Sequence, residues 1–212
     1  ALGKNNSYRI IYDKGYFIQK LDNNLNTLSQ QPLPEIEYGG NKLKYYGALS
    51  VQGIIQVSGS TYITLINKGK GTRQVDLLIA KVNENLTIEN PNILLTDLDQ
   101  DYDIDSYTNV FGTNQNRSYI FHYYRTRKVN TVTVFNGSMQ QVWQSSKDLP
   151  HMETASLMLS EDGKNLVGIA AYDVVVVSAT KPKIITAKVN EGVAVQNPIF
   201  SISNNTILLA GT

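Results

Sequence analysis

The 212-residue chain contains no cysteine, one tryptophan, two histidines and six prolines. Without cysteine it can form neither a disulfide framework nor a thiolate metal site. Two histidines far apart in the sequence are too few for a site with several imidazole ligands. No run of 18 apolar residues is present, so we expect no insertion of the chain into a membrane.

Charge is also scarce, at 17% of residues against a usual share of roughly 25%. Nineteen basic and eighteen acidic residues leave a net charge of +1. Such a balance provides no strong field toward polyanions, and we therefore expect no nucleic-acid partner. The hydrophobic share of 42% is large enough for a packed core and excludes a disordered acidic tail.

Asparagine and tyrosine are abundant instead, with 21 and 13 residues. A weakly charged chain rich in such side chains is typical of exported proteins, so we predict a secreted or cell-surface location. Five Asn-x-Ser/Thr sequons are candidate glycosylation sites of a glycoprotein, namely Asn5, Asn85, Asn116, Asn136 and Asn204.

A repeat runs along the chain. Four segments combine alternating apolar residues with a polar turn, and their turns are marked by Asp22, Asn83, Asn136 and Asn190, at spacings of 61, 53 and 54 residues. The second and fourth copies share the sequence Ala-Lys-Val-Asn-Glu, and an Asn-Pro pair follows each marker after seven residues. A period of this length indicates a repeat architecture.

Strand-like runs rich in β-branched and aromatic residues precede these markers, at Tyr8–Tyr12, Tyr62–Ile66, Tyr119–Tyr124 and Leu166–Tyr172, and a last run covers Thr206–Ala210. No segment shows a sustained helical stripe with caps. Short strands within a unit of about 54 residues predict an all-β, β-propeller-like array of four-stranded antiparallel repeats.

The sequence of one hairpin makes this prediction more specific. The sequence Ser160-Glu-Asp-Gly-Lys164 resembles the Ser-Pro-Asp-Gly-Lys hairpin of WD40-like and TolB-like propeller blades, with Glu161 in the place of proline. In those blades the Asp-Gly pair closes a tight turn, because glycine reaches positive φ without strain. The resemblance implies the β-propeller repeat superfamily and no particular member of it.

We predict one repeat array over residues 1–212, with units at 1–40, 41–97, 98–150 and 151–200 and the start of a fifth at 201–212. The first unit opens at its second strand, and the fifth stops early. This pattern fits a four-bladed ring, or an incomplete ring that further chain or a partner strand completes. An open array exposes sheet edges that can pair with another chain.

An unusual acidic run places aspartate at every second position, at Asp97, Asp99, Asp101, Asp103 and Asp105. Alternate carboxylates in a loop supply the oxygen ligands that Ca²⁺ requires, so calcium is a candidate cofactor. Tyr102 stands where calcium loops of this type have glycine. The alternative is a solvent-facing acidic loop.

Aromatic and basic residues are interleaved in Tyr119–Lys128, and Tyr119, Tyr123, Arg125 and Arg127 are candidate binding residues for a glycan or protein. Alternation places Tyr119, Tyr123 and Arg125 on one face of a strand, with His122 and Tyr124 on the other. The alternative is that this strand packs within a blade and buries both faces.

Catalytic motifs are not found: the chain has no nucleophile elbow, no Walker loop and no His-Glu-x-x-His sequence. We therefore predict no catalytic residues and a non-enzymatic extracellular or cell-surface propeller module for protein or glycan binding and assembly. The alternative is a propeller hydrolase or lyase acting on a glycan or another polar polymer. Such an enzyme would need two acids that converge from different blades.

Overall fold

The computed structural model describes residues 7–44, 47–68, 74–99, 108–125, 130–146, 149–170, 173–179, 183–185, 199–203 and 206–210. The chain divides at residue 102 into two compact units, which are described separately below. Within the described ranges, the only helical element is a single 3₁₀ turn, Thr154–Ser156.

Unit 1 (residues 1–102) contains two sheets and a small hairpin. Sheet 1 consists of β1 (Ser7–Tyr12), β2 (Tyr16–Leu21) and β3 (Thr27–Pro32). The small hairpin follows as β4 (Glu37–Tyr38) and β5 (Asn41–Lys42). Sheet 2 consists of β6 (Leu49–Val57), β7 (Ser60–Lys68), β8 (Gln74–Val82) and β9 (Asn92–Asp99). Neighbouring strands of each sheet are consecutive in the chain and antiparallel.

Unit 2 (residues 103–212) repeats this meander. Sheet 3 consists of β10 (Thr108–Thr113), β11 (Tyr119–Arg125), β12 (Asn130–Asn136) and β13 (Gln141–Ser145). Sheet 4 consists of β14 (Met158–Leu159), β15 (Asn165–Ala170), β16 (Asp173–Ser178) and β17 (Lys183–Ile185). A final antiparallel hairpin is formed by β18 (Ile199–Ser203) and β19 (Thr206–Ala210).

Each unit has its own apolar core, built from the alternating residues of its strands. The core of unit 1 joins sheets 1 and 2 and contains Ile18, Ile36, Leu49, Ile63, Leu65, Leu78, Ala80, Val82 and Leu86. The core of unit 2 joins sheets 3 and 4 and contains Phe121, Tyr123, Val132, Val134, Trp143, Leu149, Met152, Leu159, Leu166, Ala170, Val175 and Val177. The inner strands β7, β11 and β12 are buried on both faces, and their buried residues include the polar Thr64, His122 and Thr133.

The polar markers of the repeat form one type of turn, which connects the last two strands of a sheet. In the turns that begin at Asp22, Asn83 and Asn136, the N–H of the fourth residue donates to the carbonyl of the first at 2.9–3.0 Å. That fourth residue has positive φ in each case and is Leu25, Leu86 or Met139. A short polar side chain at the first position favours such a turn, because it accepts backbone N–H groups.

The fourth marker, Asn190, lies outside the described residues. In the repeat, Ile184 and Ile185 correspond to Leu77 and Leu78. The isoleucines lie in the fourth strand of sheet 4, whereas the leucines lie in the third strand of sheet 2.

The predicted all-β array of four-stranded antiparallel repeats is confirmed by sheets 2, 3 and 4. The Asp-Gly hairpin also forms as expected: it joins β14 to β15, and Gly163 has a φ of 70°. Among the residues that the structure describes, no helix is long and apolar enough to cross a bilayer.

Candidate functional site

The aromatic strand predicted as a binding face lies in the middle of sheet 3. Tyr123 is fully buried, and its hydroxyl accepts the backbone N–H of Met152 at 3.0 Å. Burial raises the pKa of this phenol. Tyr119 packs against the core of unit 2 and covers Gly163, where an added Cβ would lie 2.7 Å from its ring. Both tyrosines therefore contribute to packing, and their proposed role in binding stays a prediction.

The basic members of the same candidate set lie at the end of this strand. Arg125 is half-buried at the last position of β11, and Arg127 lies outside the described residues. The proposed contact of these arginines with a ligand stays a prediction.

The opposite face of β11 is buried as well. His122 stacks on Phe111 with ring centroids 4.6 Å apart, and its Nε2 lies 2.5 Å from Oδ1 of Asn109. Burial lowers the pKa of His122 to about 3, so the ring is neutral. Within the described residues, its Nδ1 and the Oγ1 of Thr133, its cross-strand neighbour on β12, have no hydrogen-bond partner.

Three side chains of sheet 3 hold the hairpin Ser160–Lys164 of sheet 4. The indole Nε1–H of Trp143 donates to the carbonyl of Gly163 at 2.7 Å, and Nδ2 of Asn114 donates to the carbonyl of Glu161 at 2.9 Å. Tyr119 contacts the same turn through Gly163. We call these contacts the hairpin joint. The polar groups of the hairpin joint form hydrogen bonds with one another, so the role of the joint is structural.

The predicted calcium ligands lie mostly outside the described residues. Asp97 and Asp99 belong to the end of β9, and Asp101, Asp103 and Asp105 follow beyond it. Elsewhere in the described residues, no group of three or more carboxylate or imidazole side chains could hold a metal. The calcium site stays a prediction.

Three of the five sequons can be placed. Asn85 and Asn116 are exposed at the third position of hairpin turns, whereas Asn136 occupies the first position, where its Oδ1 accepts the backbone N–H groups of Ser138 and Gln140 at 3.0 Å. Asn5 and Asn204 lie outside the described residues. Glycosylation stays a prediction at all five.

A cleft of about 760 Å³ opens in unit 1. Three segments contribute to it: the tip of the β1–β2 hairpin, the chain that follows β3 and the chain that follows β5. We call it the tyrosine cleft, and its lining residues are Tyr12, Lys14, Gly15, Tyr16, Leu33, Pro34, Glu35, Leu43 and Lys44.

Two tyrosines flank the hairpin tip because they face each other across β1 and β2. Tyr12 and Tyr16 are cross-strand partners, and their rings meet edge to face with centroids 5.3 Å apart. Between them the N–H of Asp13 donates to the carbonyl of Gly15 at 2.9 Å, and Lys14 has a φ of 54°. Tyr12 keeps 50% of its surface exposed.

The described lining of the tyrosine cleft contains two basic side chains and one acidic side chain. Glu35, the one carboxylate among the described lining residues, is bound by Lys42 at 2.8 Å, and Lys42 also contacts Glu37 at 2.9 Å. Hydrogen bonding to Lys42 lowers the pKa of Glu35, and the two glutamates raise the pKa of Lys42. Lys14 and Lys44 are exposed and form no ion pair with any described residue. The cleft therefore combines an aromatic and apolar lining with two exposed lysines, beside a group in which one lysine pairs with two glutamates.

Sequence reasoning missed this cleft. The available signal was Tyr-Asp-Lys-Gly-Tyr at residues 12–16, in which two aromatic residues flank a turn. Such a sequence indicates a cross-strand aromatic pair, but it does not show that residues 33–35 and 43–44 come to lie beside it.

Comparison with known proteins gives a fold and no close relative. No family model matches the chain, and no curated protein matches it either. Among solved structures, the Dos1 propeller aligns with a TM-score of 0.54 and 9% identity, over 92% of this chain and 49% of that one. The chain thus spans about half the length of that propeller.

Two further structures align with lower scores. Hsv2 of Kluyveromyces lactis has a TM-score of 0.41 and 12% identity, over 97% of this chain and 75% of the other. A structure described as a nidogen–laminin complex has a TM-score of 0.37 and 9% identity, over 97% and 85%. Together with the repeated four-stranded sheets, the match to the Dos1 propeller shows a β-propeller fold.

Proposed function

We propose that this β-propeller module is a non-enzymatic binding protein whose tyrosine cleft takes a protein partner. The observation that carries the proposal is the half-exposed Tyr12, which lines an open cleft of about 760 Å³ together with Tyr16. Tyrosine is enriched among the residues that dominate binding energy, because it offers a large apolar area with few rotatable bonds.

The lining favours a protein ligand over a glycan. Besides the tyrosines, it contains Leu33, Pro34 and Leu43, and none of the described lining residues is asparagine, glutamine, serine or threonine. A sugar needs several polar groups for its hydroxyls, whereas apolar residues ringed by charges are typical of protein interfaces. The lining therefore resembles the centre of a protein interface.

The same lining offers little for hydrolysis. Glycoside hydrolysis uses two carboxyl groups about 5–10 Å apart. Among its described lining residues the tyrosine cleft contains one, Glu35, and that group is engaged by Lys42 at 2.8 Å. Binding without chemistry is the function that this site supports.

The chain beneath the cleft is tied to sheet 1 by a backbone hydrogen bond and by core packing. The N–H of Leu33 donates to the carbonyl of Tyr16 at 2.8 Å, which fixes the chain after β3 against the hairpin. Ile18, two residues along β2, is fully buried in the core of unit 1. A preorganised surface loses little conformational entropy on binding, which favours affinity.

We further propose that the module works outside the cytoplasm, at a cell surface or in the extracellular space. The low charge content supports this, as does the exposure of Asn85 and Asn116 on hairpin turns. The test is the intact mass of the protein from its natural source, before and after enzymatic deglycosylation. A mass unchanged by deglycosylation, in a protein recovered only from cytosol, would contradict the location.

Photo-crosslinking tests the binding proposal. A benzoylphenylalanine at position 12 should crosslink a protein from the natural source, and the same group at Leu28 serves as the control. Leu28 is 56% exposed on β3, in the same sheet, and does not line the cleft. The captured protein is then purified, and its Kd is measured with the wild-type chain, Tyr12→Ala and Leu28→Ala.

We expect Tyr12→Ala to weaken binding about tenfold or more, as truncation of a central interface tyrosine does, and Leu28→Ala to weaken it less than about twofold. Equal affinities for wild type and Tyr12→Ala would overturn the proposal. Capture at position 28 alone would also overturn it, because the partner would then bind elsewhere.

A further inference from the structure

We propose that Asn136 is a site of spontaneous deamidation, through a cyclic imide that it forms with the backbone nitrogen of Gly137. This is the one Asn-Gly pair of the 212-residue sequence, and it begins the turn between β12 and β13. Asparagine is a thermolabile residue. Glycine after it leaves the attacking nitrogen unshielded, because glycine has no Cβ. The pair is therefore a modification site that is independent of the tyrosine cleft.

The reaction needs only water as a co-reactant. The Gly137 nitrogen loses its proton to solvent base and attacks Cγ of Asn136. The bond between Cγ and Nδ2 then breaks, and Nδ2 takes up a proton and leaves as ammonia. Water opens the imide at either carbonyl, which gives aspartate or isoaspartate at position 136. No oxidant or reductant takes part.

The turn holds the amide of Asn136 in place for this attack. Its Oδ1 accepts the backbone N–H groups of Ser138 and Gln140, both at 3.0 Å. The ring of atoms that the first of these hydrogen bonds closes includes the Gly137 nitrogen, so Cγ is held near the attacking atom. Two N–H donors on a carbonyl oxygen also stabilise the negative charge that this oxygen gains during the attack.

A second pair in the chain provides the contrast. Asp162–Gly163 is the one Asp-Gly pair and can form the same kind of imide. There the N–H of Gly163 donates to the carbonyl of Ser160 at 3.0 Å, and the ring of Tyr119 covers the glycine. Within the described ranges, the N–H of Gly137 donates to no group. Because the nitrogen must lose this proton to solvent, Gly137 can react where Gly163 is protected.

The product fits the turn, because the equivalent turn of sheet 1 is built on aspartate. Oδ1 of Asp22 accepts the backbone N–H groups of Asn24 and Asn26 at 2.8 Å, and these are the two positions that Asn136 binds in its own turn. Hydrogen bonding to Asn26 lowers the pKa of Asp22, so this turn favours the charged carboxylate. Conversion to aspartate takes the formal net charge of the chain from +1 to zero, which favours self-association.

Incubation of the full chain at about pH 8 tests the proposal. Mass spectrometry of the tryptic peptide 129–147 measures the change of mass, and its fragmentation assigns the change to Asn136 and separates aspartate from isoaspartate. We expect conversion on the order of tenfold faster than at Asn83, which begins the same type of turn but is followed by Glu84. The reaction should slow at about pH 6, because the attacking nitrogen must lose a proton.

Gly137→Glu is the matched variant, because it gives the turn the Asn-Glu pair of the Asn83 turn. It should abolish conversion at Asn136 and leave the circular dichroism spectrum unchanged. Asn136→Asp should melt within about 3 °C of the wild type, since Asp22 supports the equivalent turn.

Unfolding in urea separates the chemistry of the sequence from the effect of the fold. It should accelerate imide formation more at Asp162 than at Asn136, because only Asp162 is followed by a protected nitrogen in the folded chain. Equal acceleration at both sites would overturn the proposal. Conversion of Asn136 that is no faster than that of Asn83, or that occurs only in urea, would also overturn it.

Discussion

Tyrosines occupy opposite roles in the two units. In unit 2, Tyr123 is fully buried with its hydroxyl bonded to Met152, and Tyr119 covers Gly163 in the hairpin joint. In unit 1, Tyr12 and Tyr16 flank a hairpin tip, and Tyr12 remains half exposed. The difference shows that tyrosine content by itself does not indicate a binding surface. The position of each tyrosine relative to the neighbouring sheet decides its role.

The hairpins beside these tyrosines differ in the same way. Ser160–Lys164 is bonded through its backbone carbonyls to Trp143 and Asn114 of the neighbouring sheet. Asp13–Gly15 closes on itself by a backbone hydrogen bond and lines an open cleft. We therefore expect unit 2 to lose stability when its contacts are cut, and unit 1 to tolerate substitution at the cleft.

The largest expected effect is that of Trp143→Ala. Truncation of this buried side chain should lower the free energy of unfolding by about 3–5 kcal/mol, because it leaves a cavity and an unpaired carbonyl at Gly163. Trp143→Phe should lower it by less, since it keeps most of the apolar contact. Tyr12→Ala should lower it by less than about 1 kcal/mol, as expected for an exposed residue.

Urea unfolding followed by circular dichroism measures all three variants. Fluorescence is unsuitable, because Trp143 is the only tryptophan. If Tyr12→Ala proved as destabilising as Trp143→Ala, the cleft would be a structural element and the contrast between the units would fail.

The second effect is pH dependence, and it concerns unit 2, which contains both histidines of the chain. Burial lowers the pKa of His122 from 6.5 to about 3. Between these values the unfolded chain binds a proton that the folded chain does not. Stability is therefore complete above about pH 6.5 and falls as the pH is lowered toward 3, by about 1.4 kcal/mol per pH unit.

Urea titrations at pH 7 and pH 4.5 measure this dependence. The wild-type chain should lose about 2–3 kcal/mol more than His122→Gln over that interval. Equal losses in wild type and His122→Gln would show that His122 becomes protonated without unfolding, and that its surroundings are more open than the structure shows.

Sequence patterns were sufficient to predict the four-stranded sheets but not to predict the cleft. Alternation and the polar turn markers depend on neighbours in the chain, and Asp22, Asn83 and Asn136 indeed begin equivalent turns. The resemblance of Ser160–Lys164 to a propeller hairpin was also confirmed by the fold. These features depend on residues that are close together in the sequence, so they can be predicted from the sequence.

The cleft depends on residues that are distant in the chain. Glu35 and Lys44 join Tyr12 only when the chain after β3 and the chain after β5 return to the β1–β2 tip. Alternation correctly placed Tyr123 and His122 on opposite faces of β11, but it could not show that both faces are buried. Burial by a neighbouring sheet is a tertiary property, which a single strand does not encode.

The smallest expected effect concerns the backbone strain at the positive-φ position of the repeated turn. Leu25 and Leu86 occupy the same turn position with φ of 64° and 65°, but Leu25 is 65% exposed and Leu86 is 3% exposed. Leu25→Gly should raise the free energy of unfolding by about 0.5–1 kcal/mol, because glycine adopts positive φ without strain and little apolar contact is lost. Leu86→Gly relieves the same strain but removes a core side chain, so it should be destabilising by about 1–3 kcal/mol.

Urea unfolding of the two variants gives both values. Destabilisation by Leu25→Gly would mean that its side chain makes a contact that matters, and that the exposed turn of sheet 1 is as constrained as the buried turn of sheet 2.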